Sequence, residues 1–435
     1  MKISVIGCGY LGVVHAASLA TLGHEVVGID VDRAKIDLLA AGVPTFFEPG
    51  LAELLVSAIA AGRLTFASDF SAVEGARVHF ITVGTPQLPG SYAADISHVD
   101  AAFATLLPYL TPGDLVVGKS TVPVGTAARL AEGMHRDAPS ARLAWNPEFL
   151  REGFAVQDTV EPDRLVYGIA AGDDESEALL DAVYATAVAK GTPKVVTDYA
   201  TAELVKVSAN AFLATKISFI NAMAEIAEAT GADVTQLADA IGYDVRIGRR
   251  FLNSGLGFGG GCLPKDIRAF QARATELGLH ESLGFLREVD AINLRRRERM
   301  VTLALEGLDG SAAGKRVAVL GLAFKPDSDD VRDSPALDVA VRLHELGADV
   351  VATDPEATET ARARHPQLNY VASAEEAAQG ADVVLVMTEW KQFRAIDPAE
   401  FGTLVSNKVI VDGRNCLDPI QWRDAGWNYR ALGRA

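Results

Sequence analysis

The residues best equipped for chemistry lie in Phe258-Gly259-Gly260-Gly261-Cys262-Leu263-Pro264-Lys265-Asp266. Glycines before Cys262 let the backbone approach a ligand closely and leave the thiol unscreened. The thiolate is the reactive form, so a nearby cation or a helix N-terminus must lower its pKa. Pro264 suits the first turn of a helix, which sets Cys262 at the positive end of a helix carrying Asp266 to Ala272. Spacing alone leaves two readings open, a covalent nucleophile and a buried structural cysteine.

A second site is written in Gly7-Cys8-Gly9-Tyr10-Leu11-Gly12. This G-x-G-x-x-G run follows the apolar strand Ile3-Ser4-Val5-Ile6 directly, opens a helix, and is followed by Asp30 at the end of the next strand. Gly7 permits the tight turn, Gly9 the approach of a pyrophosphate, and Gly12 close helix–strand packing. Asp30 suits the adenosine ribose hydroxyls and repels a 2′-phosphate, so NAD is favoured over NADP. Arg33 softens that preference, because a nearby Arg can receive the phosphate. Cys8 reads as packing. His79, alone in an apolar strand, reads as a core residue.

These residues need a scaffold, and 435 residues with 49% hydrophobic content allow two to three cores. The net charge of -17 argues against nucleic acid. The cluster Arg295, Arg296, Arg297 and Arg299 reads as a solvated helix face. Three cysteines make no disulfide framework, and nothing suggests a signal peptide, a membrane span or a metal site. A soluble cytoplasmic enzyme is the expectation.

Strands are expected at 3–6, 25–29, 78–83, 115–118 and 142–145, alternating with helices in parallel βαβ units. From Asp198 to Glu228 helical spacing runs unbroken, predicting one helix roughly 45 Å long that links domains and offers a dimerisation face. A second βαβ series follows at 316–320, 349–352, 383–387 and 409–411. It lacks a glycine fingerprint, which argues against a second NAD site. The fold class is therefore α/β, with two Rossmann-like doubly wound domains joined by a long central helix and a small helical domain. The expected boundaries are 1–197, 198–300 and 301–435.

Further segments occur in order: Gly118-Lys119-Ser120-Thr121-Val122-Pro123, Asn146-Pro147-Glu148-Phe149-Leu150-Arg151-Glu152-Gly153, Glu203-Leu204-Val205-Lys206 with Asn210, Asp244-Val245-Arg246-Ile247-Gly248, Phe324-Lys325-Pro326-Asp327, Asp330-Val331-Arg332 and Asp412-Gly413-Arg414. Together with the cysteine stretch they resemble the UDP-glucose/GDP-mannose dehydrogenase family of nucleotide-sugar 6-dehydrogenases, over nearly the whole chain. The resemblance implies two NAD-dependent oxidations of a sugar C6 hydroxyl. Cys262 would add to the intermediate aldehyde as a thiohemiacetal, which becomes a thioester that water hydrolyses. Lys206 would stabilise negative charge on the C6 oxygen. Asp266 would position Lys206 or a water and share general-base work. Asn210 would bond the C6 oxygen or the attacking water, Thr121 would hold a catalytic water, and Glu148 would move protons during hydrolysis. Without the resemblance, Lys206 with Glu203 reads as a solvated helix pair, and Glu148 as a turn cap.

The cofactor residues it implies are Gly7, Gly9, Tyr10, Leu11, Gly12 and Asp30, with Lys35, Thr85, Thr121, Glu152, Lys265 and Arg332. On the substrate side it implies Glu148, Phe149, Leu150 and Arg151, then Lys206, Asn210 and Arg246. Phe251, Asn253, Gly257, Phe258 and Gly259 follow, with Lys325 near the diphosphate and Arg414 at the sugar. UDP-glucose is the expected substrate, with GDP-mannose or another nucleotide sugar as the alternative, and a homodimer is expected. Family members usually carry Ser just before the cysteine, where this chain has Gly261.

Overall fold

Strands β1 (Lys2–Ile6), β2 (Glu25–Ile29), β3 (Leu64–Ala67), β4 (Val78–Ile81), β5 (Leu115–Gly118), β6 (Arg142–Trp145), β7 (Leu165–Ile169) and β8 (Lys194–Thr197) form one sheet. Its order is β3-β2-β1-β4-β5-β6-β7-β8 in this computed structural model, which describes residues 1–434. All neighbours are parallel except β6 and β7. A second, wholly parallel sheet holds β9 (Arg316–Leu320), β10 (Asp349–Thr353), β11 (Asn369–Tyr370), β12 (Val383–Val386), β13 (Val409–Asp412) and β14 (Asn428–Ala431). Its order, β11-β10-β9-β12-β13-β14, repeats the 3-2-1-4-5-6 pattern that opens the first sheet. The central strands are dominated by Val, Ile, Leu and Phe because helices cover both faces. Val78–Ile81 and Val383–Val386 are buried throughout.

The chain makes two compact units. One comprises Met1–Ala209 with Arg268–Leu279; the other comprises Asn210–Ile267 with the residues from His280 onward. The predicted long helix is a single element, Tyr199–Thr230. It runs 32 residues without Pro or Gly, and Lys206 falls in the first unit's part of it while Asn210, one turn later, opens the second's.

Sequence reasoning named no strand between 145 and the long helix; β7 and β8 lie there, and β7 returns antiparallel to β6. The connection 146–164 holds only the six-residue helix Ala155–Val160, too little for a parallel crossover. The expectation of a solvated face at 295–299 is corrected at two of its four arginines. Arg296 is 0% exposed and donates to Glu228 (3.0 Å), while Arg297 is buried against Asp333 (2.9 Å). Glu228 also takes Arg299 (2.6 Å), so one carboxylate on the long helix ties down two guanidiniums of the helix Phe285–Gly307. His79 is a core residue as expected: its Nδ1 lies 2.8 Å from Ser4 Oγ, and Nε2 lies 3.7 Å from Asp114.

Candidate active site

In the first unit, the ends of β1 and β4 part at the topological switch point, where ligands bind in open α/β sheets. Gly7 has φ +98°, and a Cβ there would collide with Val83. Gly9 stands at the N-terminus of the helix Tyr10–Thr21 with open space where its Cβ would be. A side chain on Gly12 would strike the Gly7 carbonyl and Thr82. A cavity of about 360 Å³ opens here, lined by Gly7, Gly9, Asp30, Lys35, Val83 and Gly84, and by His98 and Thr105. The Cys8 N–H (2.8 Å) and the Lys35 ammonium (3.0 Å) donate to one Asp30 oxygen, and the Asp32 N–H (3.0 Å) to the other. The second oxygen keeps a lone pair for a ribose hydroxyl. The residues present therefore fit a dinucleotide: an open glycine at a helix N-terminus for phosphate, and a carboxylate facing the cavity for ribose. Cys8 is buried, and burial pushes its thiol far above the ordinary range, which suits packing and not nucleophilic chemistry.

The second sheet carries the same turn without the same capacity. Gly321 has φ +104°, packed on Thr388, much as Gly7 packs on Val83. The acid after its second strand, Asp354, points inward. It accepts from the N–H groups of Leu322, Ala323, Glu356 and Ala357 and from Trp390 Nε1, leaving nothing for a ribose.

Beyond β6 the first unit holds a buried charged pair. The Lys206 ammonium lies 2.8 Å from Glu148, and both side chains are nearly inaccessible. The other Glu148 oxygen accepts the Leu150 N–H (2.7 Å), so the turn-capping reading and the ion-pair reading both describe this carboxylate. Burial works to raise the Glu148 carboxyl, but Lys206, the Leu150 N–H and Lys119 outweigh it and hold it below the usual carboxylate range. The solvated Lys206–Glu203 pair is not found. Glu203 is 1% exposed and takes the N–H groups of Gly125 and Ala127 (2.7 Å each), capping the helix Thr126–Asp137. That anchors the segment from Thr121, whose carbonyl accepts from Thr85 Oγ1 (2.8 Å). Phe149 is sandwiched near the Arg164 and Lys206 cations, and Arg151 pairs bidentately with Asp158.

Sequence reasoning missed Glu48. It is buried, accepts the N–H groups of Gly153 and Ala155 (2.7 Å each), and takes the Tyr10 hydroxyl. It thereby fixes the 150–155 loop, with Glu152, against the fingerprint helix. Its only sequence signal is an acid beside Pro49 and Gly50, which any turn could carry.

In the second unit, Cys262 is exposed and caps the helix Leu263–Glu276, its carbonyl accepting the Asp266 N–H (3.0 Å). The thiol thus stands at the electropositive end of a fourteen-residue helix. Asp266, 2% exposed, accepts Asn210 Nδ2 and Lys265 Nζ, each at 2.6 Å. The glycines before the cysteine are closely packed. Side chains at Gly259, Gly260 and Gly261 would meet the Asp333 carbonyl, the Phe324 ring and the Arg332 guanidinium respectively. Arg332, itself bonded to Asp330, occupies the space a residue larger than glycine would need at position 261. Asn293 brackets the run, bonding both the N–H and the carbonyl of Phe258 (2.7 and 2.9 Å), and a Cβ on Gly257 would overlap it. Arg414 donates to the carbonyls of Met387, Gly257 and Phe324, so its guanidinium binds three loops together. Lys325 lies 5.4 Å from the Phe324 ring. Phe251 has φ +65°, Asn253 accepts from Arg249, and Arg246 is exposed and paired with Asp244. Among the described residues, no cluster of His, Cys, Asp and Glu could hold a metal ion, and no helix is long and apolar enough to cross a membrane.

A dinucleotide cavity at a Rossmann switch point, in a chain with a buried Lys–Glu pair and an exposed cysteine capping a helix, defines a dinucleotide-dependent oxidoreductase. Residues 1–188 match the NAD binding domain of the UDP-glucose/GDP-mannose dehydrogenase family, 200–295 its central domain, and 318–419 its UDP binding domain. The chain is 40% identical over 438 residues to a UDP-glucose 6-dehydrogenase of Rhizobium meliloti (strain 1021), covering all of both. It is also 40% identical to the UDP-glucose 6-dehydrogenase TuaD of Bacillus subtilis (strain 168), covering 93% of that protein. The structure of a UDP-glucose dehydrogenase from Pyrobaculum islandicum superposes with a TM-score of 0.89 at 40% identity, over 100% of this chain and 98% of that one. The chain belongs to the UDP-glucose/GDP-mannose dehydrogenase family and is an NAD-dependent nucleotide-sugar dehydrogenase.

Asp30 is the carboxylate that lines the cofactor cavity. Asp30→Ser is expected to raise the KM for NAD by about tenfold or more, the loss of charge-assisted hydrogen bonds to ribose. It is also expected to narrow the preference over NADP while leaving the sugar-nucleotide KM in place. Initial rates against varied NAD and NADP check this.

Proposed function

We propose that this enzyme oxidises UDP-glucose to UDP-glucuronate, removing four electrons from C6 through covalent intermediates on Cys262. The observation that carries this reading is the exposed thiol of Cys262 at the N-terminus of a helix whose first turn carries Lys265 and Asp266, with Asp266 also bonded by Asn210 of the long helix. The end-to-end likeness to UDP-glucose 6-dehydrogenases supports it.

Bound at the fingerprint turn, NAD supplies the electron acceptor for each oxidation. Lys206 stabilises negative charge on the C6 oxygen as the hydroxyl loses its proton. Cys262 adds to the resulting aldehyde, because a carbonyl carbon must become tetrahedral before it can be oxidised again. The thiohemiacetal so formed is oxidised to a thioester. Asn210 bonds the C6 oxygen, Thr121 holds the water that attacks the thioester, and Glu148 accepts that water's proton. Asp266 orients Asn210 and Lys265. Phe149, Leu150 and Arg151 line the sugar, and the 251–259 loop with Arg246, Lys325 and Arg414 serves the sugar and diphosphate. Lys265, Glu152, Thr85 and Arg332 belong to the cofactor side.

Rates with UDP-glucose, UDP-N-acetylhexosamines and GDP-mannose test the substrate. UDP-glucose is expected to have the highest kcat/KM, with UDP-glucuronate as product; a preference for GDP-mannose or an N-acetylated sugar would overturn the assignment.

A homodimer is part of this reading. Phe212, Phe219 and Ile226 are 67%, 49% and 55% exposed and recur every seven residues on the long helix. An apolar stripe of that period suits a second copy of the same helix. Phe219→Asp is expected to halve the mass seen by light scattering after size exclusion; an unchanged mass would place the contact elsewhere.

A further inference from the structure

We propose that Lys119 is a positioning residue for the Glu148–Lys206 pair, setting a second positive charge on the cavity that Glu148 lines, and that the rate falls on the alkaline side when that charge is lost. This rests on the role given above to Glu148 and Lys206.

The sheet delivers Lys119 to that place. Gly118 ends β5 opposite Trp145, which ends β6, and a side chain on Gly118 would collide with the indole ring. The close register puts the next residues, Lys119 and Asn146, side by side, with the Asn146 N–H donating to the Gly118 carbonyl (2.8 Å). Lys119 is 6% exposed. Its ammonium donates to Asn146 Oδ1 (2.9 Å) and to Tyr184 Oη (3.2 Å), and it stands 5.9 Å from the Phe80 ring. The Tyr184 hydroxyl in turn donates to Asn146 Oδ1 (2.6 Å), and Asn146 Nδ2 donates to the Val166 carbonyl (3.0 Å). Two residues beyond Asn146, across the rigid Pro147, comes Glu148. Lys119, Asn146, Tyr184 and Glu148 line one cavity of about 40 Å³, large enough for a water molecule.

The other titratable groups facing this cavity are His15, Asp158, Asp163 and Arg164. His15 is buried, and burial, then Lys119, then His24 hold it neutral. Asp158 is taken by Arg151, and Arg164 stacks on Phe149. Lys119 is thus the buried cation that, with Lys206, balances Glu148. Neither hydrogen-bonded acceptor of its ammonium is itself charged. Burial lowers the Lys119 ammonium to about 8, with Glu148 opposing and Lys206 assisting that fall. A charge lost near pH 8 changes the field at Glu148 within the working range, since Coulomb interactions in a dry site are weakly screened.

The test is the pH profile of kcat with UDP-glucose and NAD for wild type, Tyr184→Phe and Lys119→Gln. Tyr184→Phe removes one acceptor of the ammonium. The alkaline limb is expected to move to lower pH by about half a unit or more, with both KM values within about twofold of wild type. Lys119→Gln is expected to lower kcat on the order of tenfold and to erase the limb. Limbs unmoved in the variants that fold, or a rise in KM at constant kcat, would overturn the proposal and leave Lys119 structural. If Lys119→Gln does not fold, Tyr184→Phe alone decides. A wild type that does not turn over UDP-glucose would instead sink the functional reading, and this proposal with it.

Discussion

Cys262→Ala is expected to reduce formation of the sugar acid by at least about 10³-fold, the scale on which removing a covalent nucleophile acts. The first oxidation needs no thiol, so this variant is expected to release one NADH and an aldehyde slowly. Cys262→Ser separates chemistry from architecture. Serine fits wherever the thiol is only packed, and the site is exposed, so the fold should be indifferent to the exchange. A hydroxyl, however, is a far weaker nucleophile at neutral pH than a thiol near a helix N-terminus. Both variants are expected to melt near the wild-type temperature, and both to fail in the second oxidation. Quenched reactions analysed for aldehyde and acid check this, alongside a thermal melt.

The second large effect is expected at Lys206. Lys206→Met keeps the length of the side chain and removes the charge. Transition-state stabilisation of the C6 oxygen should fall by about 10²–10³. Because Lys206 is also the partner that holds Glu148 ionised against burial, the carboxyl of Glu148 should rise once it is gone. The sign follows directly. A higher Glu148 pKa means its basic form is lost at higher pH, so the residual rate of Lys206→Met should decline on the acid side at a pH where the wild type is still active. A flat profile between pH 6 and 8, with the rate loss alone, would show that the pair does not work as a unit.

Much of this site was legible in the sequence because glycine, proline and cysteine act locally. Gly7, Gly9 and Gly12 require a particular turn whatever surrounds them, and the turn has the geometry their spacing predicts. The same holds for Pro264 and the helix that Cys262 caps. The long helix was legible because Tyr199–Thr230 contains nothing that breaks one. What the sequence hid depends on distant partners. Arg296 looks like any helix-surface arginine until Glu228, 68 positions earlier, is seen to meet it. Glu48 and Lys119 carry no periodic signal, and their importance lies in backbone amides and neighbours more than 25 residues away. The antiparallel return of β7 depends on how little helix fits between residues 146 and 164, a matter of length more than of residue type.

Among the departures from the family pattern is glycine at 261, where serine is usual, and it lies against Arg332. Arg332 lies where a side chain at position 261 would project. Arginine is long and half exposed here, so it could yield to a hydroxymethyl group at little cost. The glycine therefore marks a local exchange of partners beside Cys262 and leaves the cysteine at its helix N-terminus.

The measurement that tests the central claim most directly is the yield of NADH from limiting UDP-glucose with excess NAD. A single site that oxidises C6 twice through Cys262 gives two NADH for each sugar nucleotide and leaves no aldehyde in solution. One NADH for each sugar nucleotide, with free aldehyde accumulating, would contradict it.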